Sequence, residues 1–428
     1  MMITAFEITR QEDIEPALLE MRRTPVMPSE TARVVKDIID AVAAGGDRAL
    51  VEMTERFDGV RLSGSQLEVP EDEIGKVFEA LPDEVKDALK KAEKRITRFA
   101  AESLSEDWEL ETAPGVLVGQ LQRTIDPVGI YVPGGRFAYP STVLMTGVPA
   151  REAGVKEIIF CIPPEKGGQS NNAAVAATKL VGDCRVFRVG GAQAVAAMAI
   201  GTETIPKCQM VAGPGNIYVT TAKRLLSDVV SIDLEAGPSE IAIYVDGSVD
   251  MSYASTDVLA QLEHDPFSVA VMVSESRETL ESAKGVLSGL AQGIETDATS
   301  ESTVNLVLCS SRELSINLLN ELAPEHLELL VDEARNVVPD ISSAGCVFVG
   351  PYSPVVLGDY LAGPSHVLPT GGSAKRLSGL SLQNFRRTMN VISYTQEGFL
   401  SDSDDVLALA RLEGLRMHAL SVDERLKQ

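Results

Sequence analysis

The chain has 428 residues, 44% of them hydrophobic and 23% charged, an ordinary globular composition with room for two or three domains and sizeable cores. Its formal net charge of −24 disfavours nucleic acid, because a phosphate backbone would be repelled unless a basic patch intervened. No apolar run approaches the roughly 20 residues of a membrane-spanning helix, and the acidic opening MMITAFEITRQEDIEP lacks the apolar stretch of a secretory signal, so the cytoplasm is the default location.

Residues 1–24 are set apart as an N-terminal segment. Residues 29–43 read as an amphipathic helix, with Ser29 as N-cap and Val34, Val35, Ile38, Ile39 and Val42 at helical spacing. Asp83 caps a longer helix whose apolar positions, Val85, Leu89, Ala92, Ile96 and Phe99, form a core-facing stripe. The basic residues from Lys90-Lys91 to Arg98 fall on its solvated face, and Arg386-Arg387 is the other short basic cluster.

From residue 127 the pattern alternates. Apolar, β-rich runs at 157–162, 185–189 and 208–212 are separated by Ala-rich helical stretches at 171–181 and 192–200. A second series has runs at 241–245, 269–273, 304–309 and 345–349, separated by helical segments near 252–263, 276–291 and 312–322. Continuous apolar strands alternating with helices imply parallel sheets covered on both faces. The expected fold is α/β: two similar Rossmann-like units with parallel sheets, plus small N-terminal and C-terminal helical segments. The expected division places 25–126 together with 237–380 in a first unit and 127–236 in a second. Residues 381–428 form a C-terminal segment whose 400–428 stretch is helical with little core of its own.

Turn-rich stretches punctuate the chain: VPGG at 132–135, AGPGN at 212–216, EAGPSE at 235–240 and AGPSHVLPTGG at 362–372. None follows GxGxxG. The run Gly190-Gly191-Ala192-Gln193-Ala194 lies at a strand-to-helix turn, where helix amides can receive a phosphate or simply close a turn. The five cysteines (Cys161, Cys184, Cys208, Cys309, Cys346) are odd in number, never spaced as CxxC, and mostly at strand ends, as buried inert thiols would be.

All four histidines lie near other chemistry-capable residues. Gln261 and His264 stand three apart on a helix, hence on one face, and offer an oxygen and a nitrogen to a metal such as zinc. Such a pair is non-specific by itself. Asp359 is a third ligand or a helix cap, and His418 a fourth ligand or a surface histidine. Glu325 and His326 are adjacent at a helix end before an apolar strand; they divide water activation and proton transfer between them, or are a cap beside a surface imidazole.

The strings VAGPGN (211–216), DLEAGPSE (233–240), QLEH (261–264), LAPEHLE (322–328), GDYLAGPSHVLPTGG (358–372) and LEGLRMHALSV (412–422) closely resemble histidinol dehydrogenase. GIYVPGG (129–135) and VGGAQAVAAMAIGT (189–202) match as well, and the likeness runs from about residue 25 to the end. The resemblance implies NAD-linked, zinc-dependent oxidation of L-histidinol to L-histidine, the last step of histidine biosynthesis. Carried over by matching motif, Gln261, His264, Asp359 and His418 correspond to the zinc ligands and Glu325 and His326 to the acid–base pair. Ser239, His366 and Glu413 correspond to substrate contacts alongside His326 and the metal ligands, and Tyr131, Gln193 and Asn216 to NAD contacts. The resemblance further implies a homodimer in which the C-terminal segment crosses to the partner, so that Glu413 and His418 complete the neighbouring site. One departure stands out: Asn384 precedes Phe385 where the family usually has Asp. A zinc hydrolase, a non-catalytic binding protein of this fold, and a relative acting on another small polar alcohol are the competing readings. Retained Glu325 and His326 weigh against the binding protein, and retained His366 and Glu413 against the other alcohol.

Overall fold

The protein is described by a computed structural model covering residues 2–21, 29–134, 139–165, 172–235, 237–291 and 302–427. Gly135 of VPGG, Ala236 of EAGPSE, Asn171 at an expected helix start, and the boundary placed after residue 24 lie outside the described residues.

The chain opens with strand β1 (Met2–Ile8) and helices α1 (Ile14–Met21), α2 (Ser29–Asp58), α3 (Glu71–Glu79) and α4 (Asp83–Glu102). Strands β2 (Trp108–Ala113) and β3 (Val116–Thr124) follow. The next stretch alternates: β4 (Val128–Tyr131), α5 (Pro140–Glu152), β5 (Ile158–Cys161), α6 (Asn172–Val181), β6 (Cys184–Phe187), α7 (Gly191–Ile200), β7 (Met210–Ala212), α8 (Ile217–Leu225) and β8 (Ser231–Ile232). The second alternating stretch is β9 (Glu240–Val245), α9 (Met251–Leu262), β10 (Val269–Ser274), α10 (Arg277–Ala291), β11 (Thr303–Cys309), α11 (Arg312–Leu322), β12 (His326–Leu330), β13 (Cys346–Val349) and α12 (Val355–Tyr360). The chain ends with β14 (Arg386–Tyr394), α13 (Gln396–Leu412) and α14 (Arg416–Leu426).

Two parallel sheets form, as the continuous apolar runs require. The larger has the order β1-β11-β10-β9-β12-β13 and the smaller β6-β5-β4-β7-β8. Each is apolar on both faces: Ala242, Val273, Leu327 and Leu329 pack on one side of the larger sheet, Ile243, Met272, Leu306 and Leu330 on the other. A third sheet, β14-β3-β2, is antiparallel.

The packing departs from the expected division in three places. β1 is an edge strand of the larger sheet, paired to β11, and α1 seals that sheet's core, so 2–21 is no separate segment. Helices α2 to α4, grouped by the sequence with 237–380, pack on the smaller sheet: Val35, Ile38 and Leu50 meet Tyr131, Ile159 and Phe187, while Ile74, Leu89 and Ile96 meet Val128, Ile130 and Phe160. An amphipathic stripe says that a helix needs a sheet, not which one. Finally, the C-terminal segment is not purely helical, because β14 joins β3 from residue 116 onward. In α4, Phe99 is 47% exposed and Ala100 continues the buried stripe. Asn384 caps the local turn, its Oδ1 accepting from Ser381 N at 2.8 Å, with Phe385 buried beneath; it lines no cavity of the site.

Candidate active site

The site forms where the amino edge of the larger sheet meets the smaller unit. α9 delivers Gln261, buried, in its last turn; His264 lies two residues past the helix end, with its N–H 3.4 Å from the Gln261 carbonyl. α12 delivers Asp359. These three side chains line one small cavity, together with Asp257, Ala260, Val355 and Val356. An amide oxygen, an imidazole nitrogen and a carboxylate converging there make a donor set suited to a borderline metal such as zinc. Asp359 also lines a second, open cavity of about 890 Å³, walled by His326, His366, Cys346 and Phe348, so it is the residue the two spaces share.

Glu325 and His326 sit at the turn from α11 into β12. Ala323 ends the helix in a left-handed conformation (φ 46°), Pro324 blocks its continuation, and the chain passes straight into the strand. Gly345 on the neighbouring segment is required: a Cβ there would lie 2.5 Å from the Glu325 carbonyl oxygen. Glu325 Oε2 accepts from Glu240 N at 2.8 Å and lies 3.6 Å from His326 Nδ1. Burial holds the Glu325 carboxyl well above the usual range; the Glu240 N–H opposes this, and the charges of Glu240 and Asp359 add to it.

His326 Nδ1 lies 3.2 Å from the Glu240 carbonyl, which can only accept, so Nδ1 carries the proton and Nε2 keeps a free lone pair. Burial pulls its pKa down to about 4, helped by the neighbouring His264 and His366, so the ring is neutral near pH 7. His366, by contrast, is held by both nitrogens: Nδ1 donates to the Asp359 carbonyl (3.0 Å) and Nε2 accepts from Thr142 Oγ1 (3.1 Å). Burial brings it to about 4 as well. His264 stands at the exposed rim, yet the protein around it still lowers its pKa, against the pull of Glu263. Burial raises Asp359 to about 7.

Three of the four histidines thus converge, and the fourth does not. His418 and Glu413 are exposed on the α13–α14 hairpin and line neither cavity. Ser239 is half-buried just before β9 and also lines neither. Among the described residues no three His, Cys, Asp or Glu side chains gather as a metal cluster, and of the four residues the sequence offered as ligands only Gln261, His264 and Asp359 line the small cavity.

Tyr131, Gln193 and Asn216 belong to the smaller unit, each at or just beyond the carboxyl end of one of its strands or in the helix that follows. In the smaller sheet the strand order reverses between β4 and β7, and crevices at such points, beyond the carboxyl ends of the strands, receive ligands. Tyr131 ends β4, and its hydroxyl accepts from Gly191 N at 3.3 Å. Gln193 is buried in the first turn of α7. Asn216 caps α8, its Oδ1 accepting from Tyr218 N and Val219 N at 3.0 and 3.2 Å, which leaves its amide N–H groups to donate. Gly213 (φ 107°) admits this close approach: a Cβ would meet the Tyr131 carbonyl at 2.1 Å.

Sequence reasoning missed Glu240, Thr142 and Phe348, which orient or wall the two inner histidines. It also missed Asp257, although its spacing of four and seven residues before Gln261 and His264 puts it on their helix face. Of the cysteines, Cys346 lines the larger cavity, but burial chiefly, and then Asp359, push its thiol up to about 11.

The family model for histidinol dehydrogenase matches residues 21–426. A histidinol dehydrogenase of Caldanaerobacter subterraneus is 42% identical over 428 residues, covering 99% of each chain. That of Carboxydothermus hydrogenoformans is 40% identical over 416 residues, covering 96% of this chain and 98% of its own. A solved histidinol dehydrogenase from Elizabethkingia anophelis superposes with a TM-score of 0.93 at 31% identity, covering 99% of this chain and 98% of that one. No helix among the described residues is long and apolar enough to cross a membrane.

Proposed function

The chain belongs to the histidinol dehydrogenase family, an oxidoreductase family, and from that premise we propose that it oxidises L-histidinol to L-histidine through L-histidinaldehyde, using two NAD and one zinc per chain. The observation that carries the reading is the convergence of Gln261, His264 and Asp359 on one cavity, with Asp359 also lining the neighbouring cavity of His326 and His366.

Gln261, His264 and Asp359 would hold the zinc, with His418 of a second copy as fourth ligand. Bound zinc supplies a double positive charge that fixes the amino alcohol and favours the ionised forms of nearby carboxyls. The overall change takes one alcohol, two NAD and one water to one carboxylate, two NADH and three protons. In the first oxidation His326 Nε2 takes the hydroxyl proton as hydride leaves the carbinol carbon for the nicotinamide. The Glu240 carbonyl keeps Nδ1 protonated and so leaves Nε2 the free base. Glu325 then takes a proton from the water that adds to the aldehyde, and His326 takes the hydrate's proton as the second hydride leaves. Ser239, His366 and Glu413 are assigned to substrate, Glu413 again from the second copy. In the observed conformation His366 reaches substrate with a ring nitrogen only by releasing Thr142 or the Asp359 carbonyl. Tyr131, Gln193 and Asn216 are assigned to NAD at the carboxyl edge of the smaller sheet. The shared site makes the working form a homodimer, and we place the enzyme in the cytoplasm.

Incubating the purified protein with NAD and L-histidinol should yield two NADH per histidinol consumed, L-histidine as product, and one zinc per chain on metal analysis. Absence of NADH formation from histidinol, or full turnover after zinc removal, overturns the reading.

A further inference from the structure

Strand β12 alternates as a strand must. Leu327 and Leu329 face one core; His326, Glu328 and Leu330 face the other, where α9 and α12 pack. Glu328 is therefore a carboxyl, fully buried, in a row of apolar residues, among Val258, Leu262, Phe348 and Val355. Such a group is costly unless bonded. Its Oε1 accepts from Val355 N, the first amide of α12, at 2.9 Å. Its Oε2 is buried with no N–H or O–H donor. The group that meets it is the carboxyl of Asp257 on α9, and the two can bond only if a proton is held between them. Asp257 in turn lines the small cavity with Gln261, His264 and Asp359.

We propose that Glu328, paired with Asp257, is a positioning residue for the metal ligands. By bonding the start of α12 on one side and a residue of α9 on the other, it fixes the helix carrying Asp359 against the helix carrying Gln261 and its neighbour His264. The short α12 has six residues, no side-chain cap, and one buried residue, Val355; apart from Glu328 at its start, the His366 bond to the Asp359 carbonyl holds its other end. Burial raises both carboxyls, Glu328 to about 9, as expected for two acids that retain one proton between them.

The inference rests on the zinc reading above, and wild type measured in parallel separates the two. Zinc affinity is read by competition with a chromogenic chelator, and folding by thermal melting of the metal-stripped protein. Glu328→Leu suits the apolar surroundings but makes neither bond; it should weaken zinc binding by about 10–100-fold, the usual cost of losing a group that orients a ligand. Glu328→Gln accepts from Val355 N and donates to Asp257, so it should bind zinc within about threefold of wild type, against that 10–100-fold scale. The rescue by Gln is what a merely space-filling role would not produce. A Leu variant that binds zinc like wild type overturns the proposal, and so does a Gln variant that loses affinity tenfold, even if Leu does not fold. Should wild type itself take up no zinc, the zinc reading fails and the positioning role fails with it.

Discussion

The C-terminal hairpin gives the sharpest test. His418 and Glu413 lie on α13–α14, whose own core is only Leu407, Ala410, Ala419 and Val422, with Phe399 partly buried against it. Leu412 is 83% exposed, Met417 72% and Leu409 60%, an apolar surface of the kind that marks a contact with another protein surface. If that surface is a second copy, each site takes His264 from one chain and His418 from the other. His264→Ala and His418→Ala homodimers should then both be nearly inactive and zinc-poor. In a mixed dimer, one site carries both lesions and the other carries neither. Random co-refolding of equal amounts makes about half of the dimers mixed, each with one intact site of two, so activity should recover to about one quarter of wild type in a twofold-symmetric dimer. Zinc content should recover in proportion, and the mixed species can be isolated with two affinity tags and assayed for NADH. Mixed dimers that form and stay dead refute the shared site, as does a fully active monomer.

His326→Ala should lower turnover by roughly 10²–10⁴ with zinc content unchanged; loss of zinc would make His326 a ligand instead. Glu325→Gln should slow oxidation of supplied histidinaldehyde more than oxidation of histidinol to the aldehyde, and equal losses in single-turnover measurements of each step would end the division of labour. Cys346→Ala should retain most activity, because a thiol held up to about 11 is a poor nucleophile near neutral pH; a loss comparable to His326→Ala would point to a thiohemiacetal route. Zinc uptake near pH 7 should release protons from Asp359, whose pKa burial raises to about 7, and from Glu325 and its neighbours. The sign follows: zinc affinity falls as pH falls below 7, and calorimetry in buffers of different ionisation enthalpy that finds no proton release would refute it.

Local sequence carried the parallel strands well, because each had to be apolar on both faces. The runs at 241–245, 269–273 and 304–309 match β9, β10 and β11 within a residue or so. It carried β14 poorly: RRTMNVISY is mixed in polarity, pairs with one polar strand and is almost wholly exposed. Which sheet a helix covers is a long-range matter, and α2 to α4 show no local mark of it. For the site, the spacing of Gln261 and His264 put them on one helix face, and the pair at 325–326 stood at a visible helix end. The geometry that makes His326 a base was illegible, since it depends on the carbonyl of Glu240, brought alongside by β9–β12 pairing. Glu328 carries no local mark of its burial; only the strand's alternation against two packed helices shows it buried.

The two sheets divide the labour by the direction of their helices. In a parallel α/β unit the helices run against the strands, so helix N-termini gather at the carboxyl edge and helix C-termini at the amino edge. The smaller sheet offers its carboxyl edge, where the starts of α7 and α8 meet Tyr131, and a partial positive charge there suits a pyrophosphate. The larger sheet offers its amino edge, where α9 ends before His264 and α11 ends before Glu325. The partial negative charge of those ends, with Glu325, Asp359 and Asp257 nearby, suits a divalent cation and an ammonium group. Its opposite edge is closed by its own acids: Asp246 accepts from the Ser248 and Asp332 amides at 2.8 Å each, and Glu275 accepts from Tyr244. Thr142, in the first turn of α5 beyond the carboxyl end of β4, bonds His366 beside the amino edge of the larger sheet, so the two edges meet. An edge of helix N-termini, which favours anions, thus lies beside an edge of helix C-termini, which favours cations, whereas two units meeting by their carboxyl edges would set two anion-favouring edges together.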